Sequence, residues 1–356
     1  MLLETLTRLV FSTRLKRLFQ KSNSSNITND GLGGNCEIQN VELTSEKEQF
    51  KSLDIPLRKL DPLGELPTFD GEWINVRAGK RVTTGEPADW NGRVLCLGGS
   101  TTFCGDVSDE QTWPSVLQES LNDAQIPVRV ENLGRMGATA INRLVLLRKR
   151  EQLDDIDAVV LLFGINDAGW VQLRDLEGLP LVIRRLIASR LGISRLAYQF
   201  IERWVGRRSG VGAATRTLAE LKLAADFLGE RKIPFLVALQ PHYWLNRTWP
   251  SSLGWKGSHP YSVRRDFLFA LEGAYRIFRR ELPRIESIAY LNLELCLSEL
   301  GDSAYVDWAH NSSSGCRTIG HLISSAIKRL LSGSHDKTSD VPENDFGKNA
   351  SKDQEK

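Results

Sequence analysis

Several features that would place the 356-residue chain in a special class are missing. It has five cysteines, Cys36, Cys96, Cys104, Cys296 and Cys316, an odd number with no CxxC pair. That argues against a disulfide framework or a cysteine metal cluster and leaves reduced thiols as the expectation. Lysine plus arginine is 46 against 44 acids, a net charge of +2, so the basic excess of a nucleic-acid binder is absent. The longest fully apolar run, Ala158–Phe163, is far too short to span a bilayer. A secretory signal is not visible, because Glu4 and Arg8 interrupt the stretch where an apolar core would lie. The glycine turn at Gly98–Thr101 is neither a GxGxxG nor a GKS/GKT motif, which removes the dinucleotide and P-loop readings. HxH and HExxH do not occur, and no metal or cofactor is implied.

What remains is an ordinary globular composition, 41% hydrophobic and 25% charged. The length allows one large domain or two small ones, with a core that needs no staples. Residues 1–21 read as a basic amphipathic helix. Leu2, Leu3, Leu6, Leu9 and Val10 share one face, Phe11, Leu15, Leu18 and Phe19 form a second stripe, and Arg14, Lys16, Arg17 and Lys21 lie away from it. Such a helix suits a membrane surface, a partner, or the protein's own core. A cytoplasmic or peripherally membrane-associated location is the expectation. Residues 22–92 read as a Ser/Asn-rich linker followed by an irregular extension, residues 93–331 as the main domain, and residues 332–356 as a disordered polar tail.

Within 93–331 strands and helices alternate. Strands are predicted at 93–98, 128–134, 157–164, 233–241 and 287–295. Helices are predicted at 113–125, 138–153, 215–231, 263–281 and 315–331. This alternation predicts an α/β fold, a parallel sheet with helices on both faces. Active sites of such sheets lie at the carboxyl ends of the strands.

Three strand ends carry suggestive residues. The first reads GGST and places Ser100 on a strand-to-helix turn; alone, that is equally a tight turn or a phosphate cradle. The second reads NLGRMG, with Gly134 and Gly137 able to present backbone N–H groups, or merely to turn the chain. The third reads GIND, where Asn166 can donate a hydrogen bond into the same cleft or simply cap a helix. Before the last helix, YVDWAHN sets Asp307 three residues ahead of His310. An aspartate there can orient the imidazole through Nδ1 and leave Nε2 to deprotonate a serine. Activity would then rise as the histidine loses its proton, around pH 6–7 for a modestly perturbed imidazole.

Taken in order, these four signals resemble the SGNH/GDSL hydrolase family across roughly residues 93–331. The resemblance implies a three-layer α/β/α, flavodoxin-like sandwich. It implies Ser100 as nucleophile, His310 as base and Asp307 as its orienting acid. The Ser100 and Gly134 N–H groups and the Asn166 amide would form the oxyanion hole. The first block departs from the family's usual GDS, with Gly99 in the aspartate's place.

The expected function is therefore a serine esterase acting on a small acyl ester. An O-acetylated carbohydrate is the favoured substrate, from the tryptophan-rich stretch 242–261, where Trp244, Trp249 and Trp255 either rim the substrate or cap the core. Two alternatives share these residues: an acyltransferase, and a catalytically silent module that binds carbohydrate or a partner.

Overall fold

The computed structural model describes residues 66–150, 153–168, 195–244 and 265–333. The basic helix expected at 1–21, the linker, and nearly all of the polar tail lie outside the described residues. Eight strands form one sheet: β1 (Phe69–Asp70), β2 (Asn75–Arg77), β3 (Lys80–Arg81), β4 (Gly92–Gly98), β5 (Val128–Asn132), β6 (Ile156–Phe163), β7 (Phe235–Leu239) and β8 (Ala289–Asn292), in the order β1-β2-β3-β5-β4-β6-β7-β8. The last five in sequence are mutually parallel. Counted among themselves they run 2-1-3-4-5, the flavodoxin-like order.

The described helices are α1 (Ser100–Phe103), α2 (Trp113–Asp123), α3 (Ala140–Arg148), α4 (Arg195–Gly229), α5 (Arg265–Glu281) and α6 (Ser313–Leu331). Side chains alternate across a strand with a period of two, and the central strands show what this does when both faces are covered. Val159, Leu161 and Phe163 of β6 pack with Leu144 of α3, Leu221 of α4 and Phe278 of α5. Ala158, Val160 and Leu162 pack on the opposite face with Leu117 of α2 and Ile323 of α6. The result is a three-layer α/β/α sandwich, and its doubly buried strands explain the unbroken apolar runs in the sequence.

Helix starts follow local chemistry. Thr112 accepts the Ser115 N–H to start α2, Thr139 and Asn142 cap each other's backbone at α3, and Ser312 starts α6. The α3 start thus falls after Thr139, two residues beyond expectation. Helix α4 begins twenty residues before the predicted 215. Glycines at 206, 210 and 212 weaken the helical signal there, and packing against α5 carries the helix through them. No helix among the described residues is long and apolar enough to cross a membrane.

The extension expected to be irregular instead adds three antiparallel strands, β1–β3, to the sheet edge beyond β5. They are two or three residues long, too short for alternation to show in sequence. A single register pair, Arg81 with Asn132, joins them to β5. Further bonds hold them: Lys80 Nζ to Glu131 of β5 at 2.7 Å, Arg135 Nη2 to Gly79 O at 2.6 Å, and the buried Arg81 side chain. Arg81 is fully buried. Its Nε donates to Asp109 Oδ1 (2.8 Å), Nη1 to the carbonyls of Phe103 (3.0 Å) and Cys104 (2.5 Å), and Nη2 to that of Val107 (2.7 Å). Asp109 also accepts from the Asn75 side chain at 2.8 Å. Deleting one partner leaves the other charge buried and unpaired, which costs about 3–5 kcal/mol. Arg81→Ala is therefore expected to lower unfolding stability by that order in chemical denaturation, with a far smaller effect for Arg77→Ala, whose ion pair to Asp70 is exposed.

Candidate active site

Strand β4 lies between β5 and β6, so the chain leaves its neighbours in opposite directions above its carboxyl end. A cleft forms at such a switch point, and the residue delivered there is Ser100, the first of α1. The turn is firmly built. The Thr102 and Phe103 N–H groups donate to Gly99 O, and Cys104 N–H donates to Ser100 O at 2.7 Å with Cys104 in the left-handed region. Trp113, wholly buried on α2, donates its indole N–H to Thr101 O at 3.1 Å. With Arg81 on the Phe103 and Cys104 carbonyls, the serine turn is gripped from two sides.

The loop between β8 and α6 brings the histidine from 210 residues away. His310 Nε2 lies 2.8 Å from Ser100 Oγ, and His310 Nδ1 lies 2.7 Å from Asp307 Oδ2. Asp307 Oδ1 accepts the N–H groups of Ala309 and His310, each at 2.7 Å, which fixes the carboxylate before it meets the ring. With the ring proton on Nδ1 facing the carboxylate, Nε2 is the acceptor for the serine O–H. The same Nδ1 also has Asp106 Oδ2 at 3.9 Å. Burial alone would drive the imidazole toward neutrality. The hydrogen bond and charge of Asp307 outweigh it, Asp106 and the Cys104 thiol add to them, and the pKa is pushed up to about 9. Burial likewise works against the Asp307 carboxylate, yet His310 and the two backbone N–H groups hold it below its ordinary range. The imidazole pKa thus lies above the pH 6–7 expected from sequence, chiefly through the short bond to Asp307, with Asp106 adding to it.

Asn166 follows β6 and donates from Nδ2 to Ala138 O at 2.8 Å, which leaves the second amide hydrogen for another acceptor. Its neighbour Asp167 is buried. Oδ1 accepts the Ala140 N–H (2.9 Å) and Oδ2 the Gly164 N–H (3.2 Å), tying the Asn166 turn to the start of α3. Burial pushes this carboxyl up to about 6 against those hydrogen bonds. Gly99 explains itself here: a Cβ would stand 2.6 Å from Asn166 Nδ2 and 3.0 Å from Ala138 O.

The two glycines after β5 differ. Gly134, expected as a donor, gives its N–H to Asn132 Oδ1 at 3.0 Å and is buried. Gly137 sits in the turn closed by Ala138 N–H on Arg135 O, with φ +68, and open space lies where a side chain would be. A positive φ at this position suits glycine. Among the described residues its N–H meets no acceptor.

Trp244 is half-buried, packs against both core clusters, and meets Tyr243 edge-on at 5.2 Å. Trp249 and Trp255 lie outside the described residues. His242 is buried edge-on to Tyr275, and burial, with Arg279 nearby, lowers its pKa to about 3. His321 is exposed on α6. Cys104 and Cys316 are both buried, with their sulfurs 3.9 Å apart behind the serine turn. Among the described residues no group of three or more His, Cys, Asp or Glu could hold a metal ion. Sequence reasoning missed Asp106, Arg81 and the distinction between the two glycines; none carries a local signal beyond residue type.

No protein-family model matches the chain, and no curated protein matches it in sequence. Solved structures resemble it in outline. One is a protein assigned to the G-D-S-L lipolytic family from Desulfitobacterium hafniense DCB-2, 15% identical, covering 66% of this chain and 99% of its own, with a TM-score of 0.39. A second is a lipase/acylhydrolase from Enterococcus faecalis, 16% identical, covering 67% and 95%, with a TM-score of 0.38. A third is an acetyl xylan esterase, 16% identical, covering 66% and 99%, with a TM-score of 0.39. Likenesses of this size do not bear on the activity, which is argued from the chain's own side chains.

Proposed function

We propose that this chain is a serine hydrolase of acyl esters. The observation that carries the reading is the unbroken hydrogen-bonded relay from Ser100 Oγ through His310 to Asp307, at 2.8 and 2.7 Å. Ser100 Oγ attacks the ester carbonyl while His310 Nε2 takes its proton. The tetrahedral oxyanion is held by the Ser100 N–H, the Gly137 N–H and the free hydrogen of the Asn166 amide. His310 then returns the proton to the leaving alkoxide, the acyl-enzyme forms, and water repeats the steps in reverse to release the acid. An acyl group on a carbohydrate is the favoured substrate, supported by the tryptophan-rich segment that holds Trp249 and Trp255.

A fluorophosphonate should label wild type at one serine and fail to label Ser100→Ala at unchanged melting temperature. Labelling that survives the substitution would overturn Ser100 as the nucleophile, and a wild type that never labels would return the chain to the class of silent binding modules. Asn166→Ala removes a donor aimed at the oxyanion, a loss typically of about 2.7–4 kcal/mol, or roughly 100–1,000-fold. The loss should appear in kcat on an aryl acetate, not in KM.

The base must be neutral to act, so the rate should climb as pH rises toward about 9, with a midpoint above the ordinary 6.5. An imidazole raised in the folded state stabilises the fold fully below 6.5 and loses that contribution as pH rises through about 9. Activity and this share of stability therefore run in opposite directions over that window. A rate profile flat from pH 6 to 9.5 would argue against His310 as base.

A further inference from the structure

The relay accounts for one acid at the imidazole, yet two reach it. The groups facing His310 are the Ser100 hydroxyl from α1, the Cys104 thiol and Asp106 from the loop after α1, Asp307 from its own loop, and behind them the Cys316 thiol from α6. Asp106 Oδ2 stands 3.9 Å from Nδ1, beyond hydrogen-bond reach but close enough for its charge to act. Its side chain is 11% exposed against 34% for Asp307, so it is the drier of the two carboxylates. Its backbone is fixed from both sides. Cys104 O before it and Val107 O after it are both held by the buried Arg81 guanidinium, whose Nε is paired with Asp109 rather than with Asp106.

On the hydrolase reading given above, we propose that Asp106 is a positioning residue, a second carboxylate that shares the Nδ1 edge of His310 with Asp307 and holds the imidazolium formed when Ser100 gives up its proton. Asp307 sets the tautomer and angle of the ring through a short, directed bond. Asp106, at 3.9 Å too far for a directed bond to the ring, adds its charge there and compensates the new positive charge. Two acids on one edge also make each partly replaceable. When Asp307 is neutralised, Asp106 remains the only carboxylate at Nδ1.

The test follows two readouts on the full chain. The first is the rate of fluorophosphonate inactivation from pH 5.5 to 10 for wild type, Asp106→Asn, Asp106→Glu, Asp307→Asn and the double Asn variant. The second is the titration midpoint of the His310 ring by NMR in a Ser100→Ala background, with and without Asp106→Asn. An opposite charge within about 4–6 Å moves a pKa by about 1–3 units, so Asp106→Asn should lower both midpoints by about one unit and Asp106→Glu should restore them. The double variant should lose far more rate than the product of the single losses. Should asparagine lower the melting temperature, Asp106→Ser repeats the measurement with a smaller side chain. Midpoints unmoved in the folded Asn or Ser variants, or a double variant equal to the product of the singles, would overturn the role. The NMR arm stands apart from the hydrolase reading: an enzyme that never labels defeats that reading, while an unshifted ring midpoint defeats Asp106.

Discussion

A guanidinium with no exposed surface must find oxygen for its donors inside the protein, and this requirement organises the amino-terminal half of the described chain. Arg81 meets it with one carboxylate and three consecutive-loop carbonyls, all between residues 103 and 109. The loop that follows the candidate nucleophile cannot relax without orphaning a buried charge. The short strands β1–β3, joined to the sheet by one backbone pair, cannot leave without removing the arginine. What reads in sequence as an appendage is thus the clamp on the serine turn and on the loop that delivers Asp106.

The rest of the site depends on the switch in strand order around β4. Ser100, the glycines after β5 and Asn166 come from three adjacent parallel strands, so their spacing is set by the fixed distance between neighbouring strands. Hydrogen bonds then do the fine placement: the Ala140 and Gly164 N–H groups to buried Asp167, Asn166 to Ala138 O, Trp113 to Thr101 O. Gly99 belongs to this set, since the asparagine amide occupies the volume a side chain there would need.

Much of this was legible in the sequence. The strands β4 and β6 stand out because both faces are buried, which leaves an uninterrupted apolar run. Ser100, Asn166, Asp307 and His310 stand out because reactive residue types sit where strands end or just before a helix begins. The parts that were not legible share a physical cause: they are contacts between distant segments with no periodicity of their own. Strands of two residues cannot alternate. Asp106 is one acid in an irregular loop, and only the fold reveals the ring beside it. Gly134 and Gly137 look alike until Asn132 is seen taking the first one's N–H. The upward displacement of the His310 imidazole was hidden as well, because it rests chiefly on a 2.7 Å bond to Asp307 whose length residue spacing does not give.

The separation of Ser100 and His310 along the chain has a consequence for the order in which the site is assembled. The serine turn and its arginine clamp involve residues close in sequence, from 81 to 113, and can assemble early at little loop-closure cost. The histidine arrives 210 residues later, immediately before the last described helix. A growing chain emerging amino end first from the ribosome therefore presents the Ser100 turn before the imidazole that faces it has been made. The pairing forms only when α6 docks beside α2 and the loop before it carries the imidazole over the end of β4.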